Sequence, residues 1–169
     1  HYDAKSDSYY VTTGPALNVA LRYDRTTGKV PWILGDSGNI GVTDSSKPIS
    51  APHSIQNLES PDKVLVFNRD NPGGCSYASE IDIDVANKTA KTTWSHKSGS
   101  GYQVYFLGDA ERLENGNTLI NWTTAGHIEE VTRSGAVVWS ALAPKSADGF
   151  GFTERVESLY KQGATPTAP

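Results

Sequence analysis

The 169-residue chain has a single cysteine and no methionine. One thiol, Cys75, excludes a disulfide within these residues and is either free or paired with a partner outside them. Methionine is missing even from the start, which is His1, so the chain reads as either processed or incomplete, the second being the expectation. No apolar run approaches the roughly 18 residues that a membrane-spanning helix requires, and no such span is expected. Positive charge is scarce: 15 Lys and Arg stand against 19 Asp and Glu, a net charge of -4. These cations are scattered rather than gathered into a stripe that could neutralise phosphates, which argues against nucleic acid as a partner. No pair of His, Cys or acidic residues has the spacing of a zinc site, so no metal is expected.

What the chain does have is short alternating runs punctuated by turn residues. The clearest stretch lies between Gly108 and Ser140. It predicts four strands, Asp109 to Leu113, Asn117 to Trp122, His127 to Thr132 and Ala136 to Ser140. Asn115-Gly116 predicts a tight primed turn, because both residues tolerate the positive φ that such a turn needs. Thr124-Ala125-Gly126 and Arg133-Ser134-Gly135 supply the next two turns. Four strands and three tight turns make an antiparallel meander, a unit too small to bury its own faces.

The same pattern recurs upstream. Gly28 and Trp32 repeat the spacing of Gly135 and Trp139, and a further copy ends in Trp94. Within that copy Ser54 to Leu58 corresponds to Asp109 to Leu113, Lys63 to Phe67 to Asn117 to Asn121, and Glu80 to Asp84 to the strand around Ile128. The closing tryptophans lie 62 and 45 residues apart, an irregular period near the roughly 40–50 residues that a four-stranded propeller blade occupies, the longer interval reflecting an inserted loop. The fold expected is therefore all-β, a partial β-propeller of about three blades at 1–34, 52–96 and 107–142, with a closing segment at 150–160. Trp32, Trp94 and Trp139 are expected in the cores of these blades or between them. Tyr2 to Thr12 reads as the turn and second strand of the first blade, with its first strand before residue 1. Gly35 to Ala51, rich in Gly, Ser, Asp and Pro, reads as an inserted loop without an element of its own. Three blades alone leave raw flanks, so a missing half or a second chain is expected to complete the ring.

Several segments invite a chemical reading. Gly35-Asp36-Ser37-Gly38 is like the nucleophile segment of trypsin-like serine proteases, but the nearest histidine, His53, follows it, whereas those enzymes run His, Asp, Ser. The segment reads instead as a polar turn. Gly99-Ser100-Gly101 lacks the full G-x-S-x-G elbow. Glu80, Asp82 and Asp84 alternate with Ile81, Ile83 and Val85, which places three carboxylates on one strand face about 7 Å apart, too spread for a calcium loop. A solvated sheet face is expected there. His96, just after Trp94, reads as exposed, and His127 opens the third strand of the last blade. Asn87-Lys-Thr and Asn121-Trp-Thr are glycosylation acceptor patterns, meaningful in a secreted chain. His53 stands out because it opens the first strand of its blade, which lines the central channel of a propeller, at a position where the next copy has Gly108. A channel-side site and an ordinary surface histidine are both compatible with that placement.

Trp32-Ile-Leu-Gly35, Pro52-His53-Ser54-Ile55, Lys63-Val-Leu-Val-Phe67, Glu80-Ile-Asp-Ile-Asp84, Arg112-Leu-Glu-Asn-Gly-Asn-Thr-Leu-Ile120 and Arg155-Val-Glu-Ser-Leu-Tyr160 together resemble the C-terminal half of arylsulfotransferase-type β-propellers. The resemblance implies half of a six-bladed ring that moves a sulfuryl group from a phenolic sulfate ester to another phenol through a sulfohistidine. It implies no cofactor and no diffusible nucleotide donor, an aryl sulfate or phenolic small molecule as partner, and an extracellular or periplasmic location. His53 matches the catalytic nucleophile, in a Pro-His-Ser-Ile phrase where the family carries Gln-His-Asp/Thr-Ala. Imidazole suits the chemistry, since a neutral ring nitrogen can attack sulfur and the N-sulfo group can be passed on. The chain departs from the family at Gly14, where an anion-binding Arg is expected after Val11-Thr12-Thr13. The family's His-x-Asn-Ser motif is absent from the chain. Gly14 and the altered phrase around His53 favour an alternative, a propeller that kept the fold and serves as a binding or structural module, while the retained His53 favours the enzyme, which is the first expectation.

Overall fold

The computed structural model describes residues 1–43, 49–70, 74–144 and 149–154. The described residues are all-β, with three sheets, no α-helix and two single 3-10 turns, Gly14–Ala16 and Thr123–Ala125. The first sheet runs β1 (Tyr2–Asp3), β2 (Ser8–Thr12), β3 (Val19–Asp24), β4 (Lys29–Gly35) in simple antiparallel order. The second contains β5 (Gly41–Val42), β6 (Pro52–Asn57), β7 (Lys63–Asn68), β8 (Tyr77–Asp84) and β9 (Thr89–His96), ordered β5-β9-β8-β7-β6. The third is the meander β10 (Asp109–Arg112), β11 (Thr118–Trp122), β12 (His127–Val131), β13 (Val137–Leu142). No closed ring is formed by the described residues.

Strand β7 sets how the sheets stack. Val64, Leu65, Val66 and Phe67 are all fully buried, which a strand achieves only when both its faces are covered. Side chains alternate along a strand, so Val64 and Val66 join Tyr10, Trp32 and Leu34 of the first sheet, while Leu65 and Phe67 join Ala110, Ile120 and Trp122 of the third. The second sheet is thus the middle layer. Its own β8 obeys the same parity: Ile81 and Ile83 face the first sheet and Ala78 the third.

Four expectations require correction. The first strand does not lie wholly before residue 1, because Tyr2 and Asp3 pair with Tyr9 and Ser8. The segment after Gly35 contains an element: Gly41 and Val42 pair in parallel with Thr89 and Ala90, and Ile40 and Ile49 are buried in the core. Two residues amid Gly, Ser and Asp show no periodicity, and tertiary contact alone makes them a strand. The connection at Asn115-Gly116 is wider than a two-residue primed turn. Leu113 N donates to Asn117 O (2.9 Å) and Gly116 N to Leu113 O (2.9 Å), and of the two turn residues only Gly116 has positive φ. Trp139 is half exposed, whereas Trp122, not singled out above, is fully buried.

The tryptophans nevertheless share a rule. Trp32 faces the second sheet, where its indole donates to Asp62 Oδ1 (3.0 Å), and Trp94 faces the third, donating to Arg133 O (2.9 Å). Trp139 pairs across β12 with Glu130 and Leu119, whose parity is opposite to that of Ile120 and Trp122, so it points away from the second sheet. Each closing tryptophan points toward the side on which the following sheet lies, and for Trp139 no described residue forms that sheet.

The polar turn expected after β4 is present. Gly35 to Gly38 is a tight turn, with Gly38 N donating to Gly35 O (2.9 Å) and Asn18 Nδ2 to Asp36 Oδ2 (2.8 Å). The closing segment expected at 150–160 lies within the described residues only to Glu154. There Phe150 N donates to Thr123 O (3.2 Å) and Asn121 Nδ2 to Gly151 O (3.1 Å), which ties the segment across the end of β11.

Candidate functional site

Strand β6 packs between β2 and β10, so the inner strands of the three sheets meet along one line. A groove of about 600 Å³ opens there, floored by Thr12, His53, Gln56 and Ala110 and walled by Phe152 and Glu154 of the closing segment. His53, second residue of β6 and half buried, lines it. A smaller recess of about 280 Å³, mostly apolar, shares His53 and adds Leu107, Gly108 and Phe152.

The His53 ring is oriented by one bond. Its Nδ1 lies 2.8 Å from Gly108 O. A carbonyl can only accept, so Nδ1 carries the proton and the Nε2 lone pair is left without a partner among the described residues. The backbone is held as well, because Thr12 Oγ1 donates to His53 O. Gly108 therefore faces His53 directly and does not merely occupy the equivalent place in the next sheet. The contrast between the two positions has a packing cause: a Cβ at Gly108 would come within 2.0 Å of Phe67 Cε1, at a φ of +96°. Only glycine fits there.

Three carboxylates, Asp109, Glu111 and Glu154, line the groove together with the imidazoles of His1 and His53, and among the described residues no Lys or Arg does. Arg69 comes nearest in role. It fills the space beside Gly14, where a Cβ would meet its Nη2 at 3.0 Å, so a longer residue at 14 would collide with it. But Arg69 spends its guanidinium on two carbonyls, Ala51 O (3.2 Å to Nε) and Tyr105 O (3.1 Å to Nη1), and props the loops on either side of the site without lining it.

The carboxylate row of β8 divides. Asp82 and Asp84 are exposed, Asp84 accepting from Asn87 N (3.0 Å) and Nδ2 (2.7 Å) in the β8–β9 turn; these bonds hold the Asp84 carboxyl below its ordinary range. Glu80, expected on a solvated face, is fully buried and bonds both Arg112 and Arg133 of the third sheet. Its face is the one the third sheet covers. Desolvation, outweighing the attraction of Glu80, holds the Arg112 guanidinium below its usual value. His96 is largely buried, not exposed: its ring lies nearly parallel to Trp94 and against Trp122. It and His127, from different sheets, flank Glu129. No group of three or more His, Cys, Asp or Glu among the described residues is arranged to hold a metal. Of the two glycosylation triplets, Asn87 is exposed in a turn and Asn121 is fully buried. Among the described residues no helix is long and apolar enough to cross a membrane.

Neither a family model nor a curated protein matches the chain. A crystal structure of a protein of unknown function from Bacteroides caccae is similar at a TM-score of 0.41 and 12% identity, over 81% of this chain. The alignment spans 58% of that protein's length, and at such a score the likeness bears on neither fold family nor activity.

Proposed function

We propose that the chain is an arc of a β-propeller acting as a binding module, with its ligand seated at His53 and carrying positive charge or many hydroxyls. The propeller reading is supported by the repeated direction of Trp32, Trp94 and Trp139, which leaves the third sheet ready to receive a following blade. The observation that carries the ligand reading is the charge of the groove, three carboxylates with no lining Lys or Arg among the described residues. A carboxylate at roughly 6 Å opposes a bound monoanion by about 2 to 3 kcal/mol at an effective dielectric near 20. An aryl sulfate would meet that repulsion without the clamp that sulfuryl transfer requires at its developing charge.

One observation favours sulfuryl transfer as a second reading. With Nδ1 donating to Gly108 O, His53 offers Nε2 as the unprotonated atom that could form an N–S bond while the aryl oxide leaves with the S–O electron pair. The two readings separate cleanly. The protein is incubated with an aryl sulfate and digested, and the peptide containing His53 is weighed; in parallel, calorimetry compares an arylalkyl ammonium ion with the aryl sulfate. The binding reading expects no sulfuryl increment and heat only with the cation. An increment on that peptide that vanishes in His53→Ala overturns it in favour of transfer.

A further inference from the structure

Away from the groove, one carboxylate is buried with two imidazoles. Glu129, on β12, is 4% exposed and its Oε2 accepts from the Trp122 indole (3.0 Å). His96 Nε2, at the end of β9 in the second sheet, lies 3.7 Å from Oε2. His127 Nδ1, two residues before Glu129 in the third sheet, lies 3.4 Å from Oε1. Both ring nitrogens are buried and neither makes a hydrogen bond. We propose that His96, Glu129 and His127 form an acid-sensitive joint between the second and third sheets, closed when the imidazoles are neutral and loosened when they take up protons.

Charge counting carries the argument. With both rings neutral the cluster holds one carboxylate, stabilised by the indole N–H. One proton compensates it. A second places an unpaired imidazolium among Trp94, Trp122 and Tyr102, whose rings enclose the site, and an uncompensated buried cation is costly. The other charges nearby do not relieve it. Arg112 of β10 lies over the Trp94 ring and, with Arg133 of the β12–β13 turn, is taken up by Glu80 of β8, and both are themselves positive. Tyr102 meets His127 edge-on with its ring, 5.5 Å between centroids. Opening the joint lets water solvate the charge instead.

The sign follows from His96. Burial, outweighing the attraction of Glu129, holds its imidazole below the ordinary value of 6.5. The opened state therefore binds more protons than the closed one once pH falls below that value. The closed state has its full advantage above it and loses ground as pH falls from there toward the lower folded value. Through His96 the open-to-closed ratio can shift by up to about tenfold per pH unit within that window.

Hydrogen exchange of the β9 and β12 amides at pH 7.5 and 5.5, corrected for intrinsic exchange rates, tests the joint in the whole chain. The opening ratio of wild type is expected to rise several-fold on acidification, with a ceiling of about tenfold, and His96→Gln with His127→Gln to remove that rise. An equal rise in wild type and variant overturns the proposal, as does tighter closure of wild type at low pH. Should the double variant not fold, titration of the wild-type imidazole resonances decides: His96 protonating below 6.5 supports the joint, and at or above 6.5 refutes it.

Discussion

Glu80 is the residue on which the contact between the second and third sheets is most exposed to a single change. Its side chain is 1% accessible and bonds two guanidiniums, Arg112 at 14% and Arg133 at 51%. Replacing it by Gln keeps the shape and removes the charge, so Arg112 becomes a buried cation without a counter-ion. Breaking a buried pair in this way costs about 3 to 5 kcal/mol, whereas the half-exposed Arg133 arm contributes no more than about 1 kcal/mol. The expected loss is about 3 to 5 kcal/mol in urea unfolding, nearly independent of added salt. Arg133→Met should lose only about 1 kcal/mol or less, and salt should shrink even that difference. The double variant Glu80→Gln, Arg112→Met should recover most of the stability, since a packed apolar pair replaces a buried ionic one at little cost. A loss under about 1 kcal/mol for Glu80→Gln would refute the account and mean that water reaches the pair.

Three further perturbations follow from the packing. Gly108→Ala should destabilise by about 2 to 5 kcal/mol, combining positive-φ strain with a clash on Phe67, and should shift the His53 imidazole resonances because Gly108 O is its partner. Chemical denaturation and NMR read the two effects; an unchanged imidazole alongside lost stability would remove Gly108 from the site. Trp122→Phe should cost about 1 to 3 kcal/mol in the same denaturation assay, because the buried Glu129 loses its indole donor, and a neutral result would show that another donor takes over. Trp32→Ala should cost about 3 to 5 kcal/mol, against less than about 1 kcal/mol for Trp139→Ala in this chain, since only the first is enclosed; equal losses would mean that the outer face of the third sheet is covered.

The strands were readable because alternation and turn chemistry act over a few residues. Asn117 to Trp122 alternates inward Thr118, Ile120 and Trp122 with outward Leu119, and the uninterrupted Val64 to Phe67 run signals a strand covered on both faces. What covers a face is a different question. Glu80, Asp82 and Asp84 share a face by parity, but only the lateral reach of the third sheet decides that Glu80 is buried and the others are wet. His96 reads as a loop residue because the pattern ends at Trp94, whereas its burial comes from Trp122, 26 positions downstream. The site was legible as one residue, His53, from its place at the head of an inner strand. Its acidic walls were not, because Asp109 and Glu111 reach it from the next sheet and Glu154 from the closing segment, neighbours that no local spacing encodes.

Strand β5 has a mechanical consequence. Leaving β4 through the Leu34–Ile40 bridge, the chain crosses to the rim of the second sheet and pairs with β9, with Thr43 N donating to Ala90 O (2.8 Å). It stitches the outer edges of two sheets with main-chain bonds, while no strand pairing among the described residues joins the third sheet to the second. The first two sheets should therefore break as one cooperative unit, and the meander from β10 to β13 should swing away first, as a subunit of lower opening energy. A protease supplied in trace amounts would then make its first nick between His96 and Asp109, the only covalent tether between the two parts, and release the meander before the stitched pair is touched.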